Sequence, residues 1–209
     1  TFFVKLGQIL STRTDLLPPA YTKELAKLQN SLQPLPIEVT KKVIKDELGR
    51  STDEVFSSFD TQPIGVASIG QVYACTQTDG TEVVVKVQKP GVPEVVAEDM
   101  YILGRAAVAA TKHWEGAQQY DLVGIVQEVS DSIRTETDYI MEGHNAEYFA
   151  QFFQKDKTIH IPRIIWESTT ERVLTMERIR GIGIRDIQAL DKAGFDRKEL
   201  AKRSVSIWL

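Results

Sequence analysis

The chain has 209 residues, 42% hydrophobic and 26% charged, with a formal net charge of −4 at pH 7. That length and balance suit one large domain or two small lobes around a sizeable core, and they exclude a disordered chain. The slightly negative charge offers no basic field for nucleic acid, and the single Cys75 excludes an internal disulfide framework and fits a reducing compartment.

No run approaches the roughly 18 apolar residues that cross a membrane. The opening apolar run is too short for a signal peptide and is interrupted by Lys5. His113, His144 and His160 have no ligand spacing to one another or to Cys75, so no zinc site is legible. Thr1 opens directly into a helical pattern and "AKRSVSIWL" stops without cap or breaker, so a piece of a longer protein is expected.

Phe2, Phe3, Leu6, Ile9 and Leu10 recur at helical spacing and predict a first helix over residues 1–15, closed by "LLPPA". Gly7 interrupts its face between Lys5 and Gln8, at a cost of about 1 kcal/mol relative to alanine. A second helix is expected over residues 21–32. After "QPLP", Ile37, Val43, Ile44 and Leu48 mark a third that ends at Gly49. Ser51 with Glu54 three residues on is a capping-box start.

The pattern changes at about Phe59. "PIGVASIGQVYAC", "TDG" and "TEVVVKVQKPG" predict two or three strands with a tight turn at Asp79-Gly80. A long helix is expected from Pro93 to His113. A further helical stretch covers residues 121–153, with Leu122, Ile125, Val126, Val129 and Ile133 on one face. "IHIPRIIWE", a "STTE" turn and "RVLTMERI" predict a second hairpin, and two short helices split at Gly194 complete the chain. This order is α+β, with an antiparallel sheet rather than βαβ units, and it matches a protein-kinase small lobe apart from its extra helices.

Three stretches carry chemistry. In "EVVVKVQKP" the alternation places Val83, Val85 and Val87 on one face and Val84, Lys86 and Gln88 on the other. A buried lysine there needs a partner, whereas an edge-strand lysine would face solvent and discourage aggregation. "PIGVASIGQV" has small residues at 65, 67, 68 and 70, so backbone amides could approach a phosphate; it is neither a Walker A motif nor G-x-G-x-x-G. In "ETDYIMEGHNAEYF" a continuous helix puts Asp138, Glu142 and Asn145 on one polar face that calls for a nearby cation. Glu136 then lies about 200° around from Asp138, so the two serve one site only near a helix end or distortion.

At these residues the sequence resembles the UbiB/ADCK family of atypical protein-kinase-like proteins. "KLGQILSTRTDLLP" is similar to its K-x-G-Q signature with S-x-R-x-D-x-x-P, "PIGVASIGQV" to its Ala-rich nucleotide loop, and "VVVKVQKPG" to its lysine strand. "ETDYIMEGHNAEYF" resembles its E-x-D motif with a downstream glutamate, and "RVLTMERIRGI" its hinge between lobes.

The resemblance implies a helical extension over residues 1–57, a nucleotide-binding small lobe over 58–179 and the start of a large lobe over 180–209. Lys86 would contact the α- and β-phosphates of ATP or ADP and pair with Glu142. Ile64, Gly65, Val66, Ala67, Ser68, Ile69, Gly70, Gln71 and Val72 would cover the nucleotide. Met176, Glu177 and Arg178 would offer hinge backbone to adenine, and Glu136 and Asp138 would help hold Mg²⁺ or the extension. Lys5 and Gln8 would lie over the site, with Gly7 allowing their helix a close approach.

The resemblance also implies a role in ubiquinone or related isoprenoid-lipid metabolism, ATPase-like rather than protein-kinase behaviour, and isoprenoid-lipid or quinone-biosynthesis partners. Its expected setting is cytoplasmic or peripheral at an inner membrane, organellar in a eukaryote. The alternative is a nucleotide-sensing scaffold or lipid-binding chaperone without phosphotransfer. Two departures stand out. Gly65-Val66-Ala67-Ser68 replaces the common Ala-Ala-Ala-Ser, and no H-x-D or D-F-G occurs in these residues. In-line transfer needs those groups, so these residues alone are expected to be inactive.

Overall fold

A computed structural model of the chain describes residues 18–26, 33–114 and 121–208. The expected first helix, with Lys5, Gly7 and Gln8, lies outside the described residues; the second is described over α1, Pro19–Ala26. Helix α2, Ile37–Leu48, buries Thr40 and Ile44 and ends as expected at Gly49, whose φ of 67° is the left-handed stop that glycine tolerates.

The capping box forms, with the Glu54 carboxylate accepting from the Ser51 amide at 2.6 Å and from its hydroxyl at 2.7 Å. It opens a single turn, α3, Thr52–Val55, before the chain enters β1, Phe56–Phe59. Strand structure therefore starts at Phe56, ahead of the expected change. Burial decides this: Phe56 is 2% exposed in the core, and the Phe59 ring lies 5.1 Å from that of Tyr73.

Strands β2 (Gly65–Val66), β3 (Gly70–Gln77) and β4 (Glu82–Gln88) follow, with Gly80 at φ 88° in the expected turn and the Asp79 carboxylate accepting from the Thr81 amide. With β5, Val173–Glu177, they make a five-stranded antiparallel sheet in the order β1-β3-β4-β5, with β2 also paired to β3. The expected second hairpin is only half made. Opposite β5 there is a single bridge, Ile164 to Met176, and then a 3-10 turn at Trp166–Ser168. Past the bridge, side chains take the place of the ladder: the Thr175 hydroxyl donates to the Ser168 carbonyl, and the Thr175 amide donates to the Thr169 hydroxyl.

Helix α4 runs over Val92–His113. The helical stretch expected over 121–153 is two helices, α5 (Leu122–Thr137) and α6 (Tyr139–Phe152). Asp138 breaks it, with a non-helical backbone and a carboxylate that accepts from the Ile140 and Met141 amides. An N-cap competes with helix continuation for such a side chain. The expected common face of Asp138, Glu142 and Asn145 is thereby lost. Helices α7 (Ile187–Lys192) and α8 (Arg197–Trp208) are separated near Gly194, at φ 79°. The chain divides into two compact units, one ending at Arg178 and the other Ile179–Leu209.

One face of the sheet carries Tyr73, Cys75, Val83, Val85 and Val87, packed with Ile44, Phe56 and Ile165 in the largest apolar cluster. Burial pushes the Cys75 thiol up. The opposite face carries Val84, Lys86 and Leu174, with Ile164 bridged beside them, and Tyr139 packs against Leu174 and Ile164.

Candidate active site

Strand β4 is flanked by β3 and β5, so Lys86 is not an edge-strand lysine. Its side chain is 22% exposed, and its Nζ donates to Glu142 Oε1 at 2.9 Å and Oε2 at 2.6 Å. Glu142 stands in the first turn of α6 because the break at Asp138 starts a helix there. The pair opens on a cavity of about 320 Å³ lined by Ile69, Lys86, Thr135, Glu136, Glu142 and Asn145. The helix break brings Glu136 and Glu142 to the same cavity from two different helices, which an unbroken helix would not. Asp138 is not in its lining.

A larger cavity, about 510 Å³, lies between α4 and α5. Arg134 is its only charged wall residue among the described residues, and it contains none of the expected site residues. Converging charge, rather than size, picks out the smaller cavity.

The loop between β2 and β3 is a tight hairpin: Ile64 N–H donates to the Val72 carbonyl and Ala67 N–H to that of Gly70, each at 2.8 Å. At Gly65 a Cβ would meet nothing nearer than Val72 Cβ at 3.9 Å, so packing does not require glycine in place of the alanine that the resemblance implies. At Gly70 it does. A Cβ there would stand 2.5 Å from the Tyr139 hydroxyl and 2.9 Å from the Val87 carbonyl oxygen. Its smallness thus serves packing.

Gln71, expected with the nucleotide cover, turns its side chain to the other face of the sheet. It is 2% exposed; its carbonyl oxygen accepts from the Leu35 amide at 2.6 Å, and its amide donates to Tyr73 Oη at 3.0 Å and to Thr40 Oγ1 at 3.3 Å. Strand alternation from Tyr73 could have revealed this, since both residues share one parity. At the hinge residues, Met176 pairs with Val84, while Glu177 N–H donates to the Arg163 carbonyl and Arg178 N–H to that of Glu82. The Arg163 amide, helped by His160 at 3.1 Å, holds the Glu177 carboxyl below its ordinary range.

Sequence reasoning missed Tyr139. It is fully buried, with its ring centroid 4.6 Å from Lys86 Nζ. Burial first, and then the Glu142 charge, push its phenol up. Nothing local signals this, because the lysine lies far away in sequence.

Among the described residues no group of three or more His, Cys, Asp or Glu side chains could hold a metal ion. Mg²⁺ commonly takes one or two carboxylates and completes its shell with phosphate and water. Glu136 and Glu142 at one cavity, beside a lysine, fit that kind of site. No described helix is long and apolar enough to cross a membrane.

A family model described as the ABC1 atypical kinase-like domain matches residues 27–209. The chain is 39% identical over 206 residues to a probable protein kinase UbiB of Marinobacter nauticus, covering 99% of this chain and 38% of that one. It is 40% identical over 210 residues to the chloroplastic protein Activity of BC1 Complex Kinase 8 of Arabidopsis thaliana, covering 99% and 27%. Among solved structures, the Rv3197–erythromycin complex from Mycobacterium tuberculosis is similar at a TM-score of 0.66 and 31% identity, over 87% of this chain and 45% of that one. The chain therefore spans less than two-fifths of the length of these two curated relatives.

Proposed function

The chain belongs to the ABC1 atypical kinase-like family, and on that premise we propose that it is the nucleotide-binding part of an atypical kinase or ATPase that supports ubiquinone or related isoprenoid-lipid metabolism. The observation that carries the nucleotide part is Lys86 paired with Glu142 at the mouth of a cavity beside the β2–β3 hairpin; the quinone link rests on the family. A lysine held by a carboxylate has a fixed direction, which suits it to the α- and β-phosphates of ATP.

In this reading the hairpin from Ile64 to Val72 covers the phosphates and Met176 to Arg178 border the adenine. Mg²⁺, when bound, neutralises phosphate charge. Glu136, at the cavity, is the better placed of the two expected ligands, and Asp138 serves it indirectly by fixing the break between the helices. Lys5, Gly7 and Gln8 take their occluding role from the K-x-G-Q resemblance alone. The chloroplastic relative supports an organellar setting in a eukaryote, while quinone-linked partners and a membrane-peripheral setting rest on the UbiB/ADCK resemblance alone.

Titration of the intact protein with Mg-ATP tests the reading. Lys86→Ala should abolish binding and leave the circular dichroism spectrum unchanged; unaltered affinity would refute it. Binding without turnover in the intact protein would favour the nucleotide-sensing scaffold.

A further inference from the structure

Tyr139 opens α6 immediately after the Asp138 cap, and its amide donates to the Glu171 carbonyl at 3.1 Å. Its ring lies against Ile164 and Leu174, and the face of the ring is 4.6 Å from the Lys86 ammonium. That is within the roughly 6 Å at which an ammonium is attracted to the negative face of an aromatic ring. Glu142, which accepts both bonds from the same ammonium, is one turn further along the same helix.

The far end of the side chain lies against Gly70. The hydroxyl has no hydrogen-bond partner among the described residues and occupies the space a side chain at Gly70 would need. Opposite Gly70 across the sheet, Gln88 donates to the Thr137 carbonyl at 2.7 Å, fastening the end of α5 beside it. The lysine strand, the root of the hairpin and the junction of the two helices thus all meet Tyr139.

We propose that Tyr139 is a positioning residue, whose ring holds the Lys86 ammonium on Glu142 and so aims it at the nucleotide phosphates; this rests on the nucleotide reading of Lys86. An ammonium with one carboxylate partner can swing about the Cγ–Cδ and Cδ–Cε bonds of its long stem. A buried ring beneath it removes those alternatives without itself touching a ligand. The hydroxyl plays no part in this, since it makes no bond that would be lost.

The test compares Tyr139→Phe with Tyr139→Leu in the intact protein. Two quantities are read: the affinity for Mg-ATP, and the Lys86 ammonium proton signal in nuclear magnetic resonance, which survives solvent exchange only while the group is held. The Phe variant should keep the signal and bind within about twofold of wild type, and the Leu variant should lose the signal and about tenfold in affinity. If Leu behaves as wild type, or if Phe is as damaging as Leu, the proposal is overturned. Should the Leu variant fail to fold, pentafluorophenylalanine at position 139 keeps the bulk and removes the negative ring face, with the Leu result expected. If wild type does not bind Mg-ATP, the nucleotide reading fails, and the Lys86 signal alone then decides the role of Tyr139.

Discussion

Lys86 and Glu142 stand 56 residues apart in sequence and meet through both carboxylate oxygens, at 2.9 and 2.6 Å. Their side chains are 22% and 37% exposed, so solvent screens much of the attraction. Such a pair contributes at most about 1 kcal/mol to stability. Its larger effect is on direction. Glu142→Gln is expected to lower the melting temperature by no more than about 4 °C, while weakening Mg-ATP binding about tenfold through a lysine that is no longer aimed. Calorimetric titration beside a thermal melt separates the two; a large melting shift with unchanged affinity would make the pair a structural clamp only.

Gln71 ties three elements together on the face away from the cavity. Its side chain is bonded to the Leu35 amide, Thr40 and Tyr73, all around one buried point. Gln71→Leu keeps the approximate size but leaves the Leu35 donor without its acceptor, a loss of about 1–3 kcal/mol. Denaturant unfolding would show it. Hydrogen exchange should speed up at Leu35 and in α2, with little change in nucleotide affinity; a loss of affinity equal to that of Glu142→Gln would place the side chain in the site after all.

The Glu177 carboxyl is held below its ordinary value of 4.5, by the Arg163 amide first and then by His160. A depressed carboxylate contributes stability above the unfolded value that is lost as the pH falls through the folded one. Glu177→Gln should therefore be less stable than wild type near neutrality, with the gap closing below about pH 4.5. The gap should be small, because the side chain is 35% exposed. Thermal melts between about pH 3 and 7 measure it, and a gap that persists in acid would assign the loss to packing instead.

The patterns that could be read directly were those set by neighbours in sequence. The valine alternation in β4, the glycine stop after α2, the Asp79-Gly80 turn and the split near Gly194 all depend on residues within a turn or two of each other. The errors arose where a local signal met a distant partner. The Ser51 and Glu54 box did cap a helix, but the burial of Phe56 ended it after one turn. Asp138 sits in good helical periodicity, yet its carboxylate caps the next helix instead of facing the cavity.

By itself the sequence determined the α+β class, the order of elements and the residue types that make a nucleotide site credible, because propensity, capping and alternation are short-range. It could not determine whether Lys86 was an edge residue or a central one, since that depends on β5 pairing along the far side of β4. Nor could it show that Glu136 and Glu142 share a cavity, which follows from a backbone break at Asp138. Tyr139 beneath the lysine and against Gly70 belongs with these. Each is a contact between segments whose separation in the chain carries no local energy, so only the packed structure decides it.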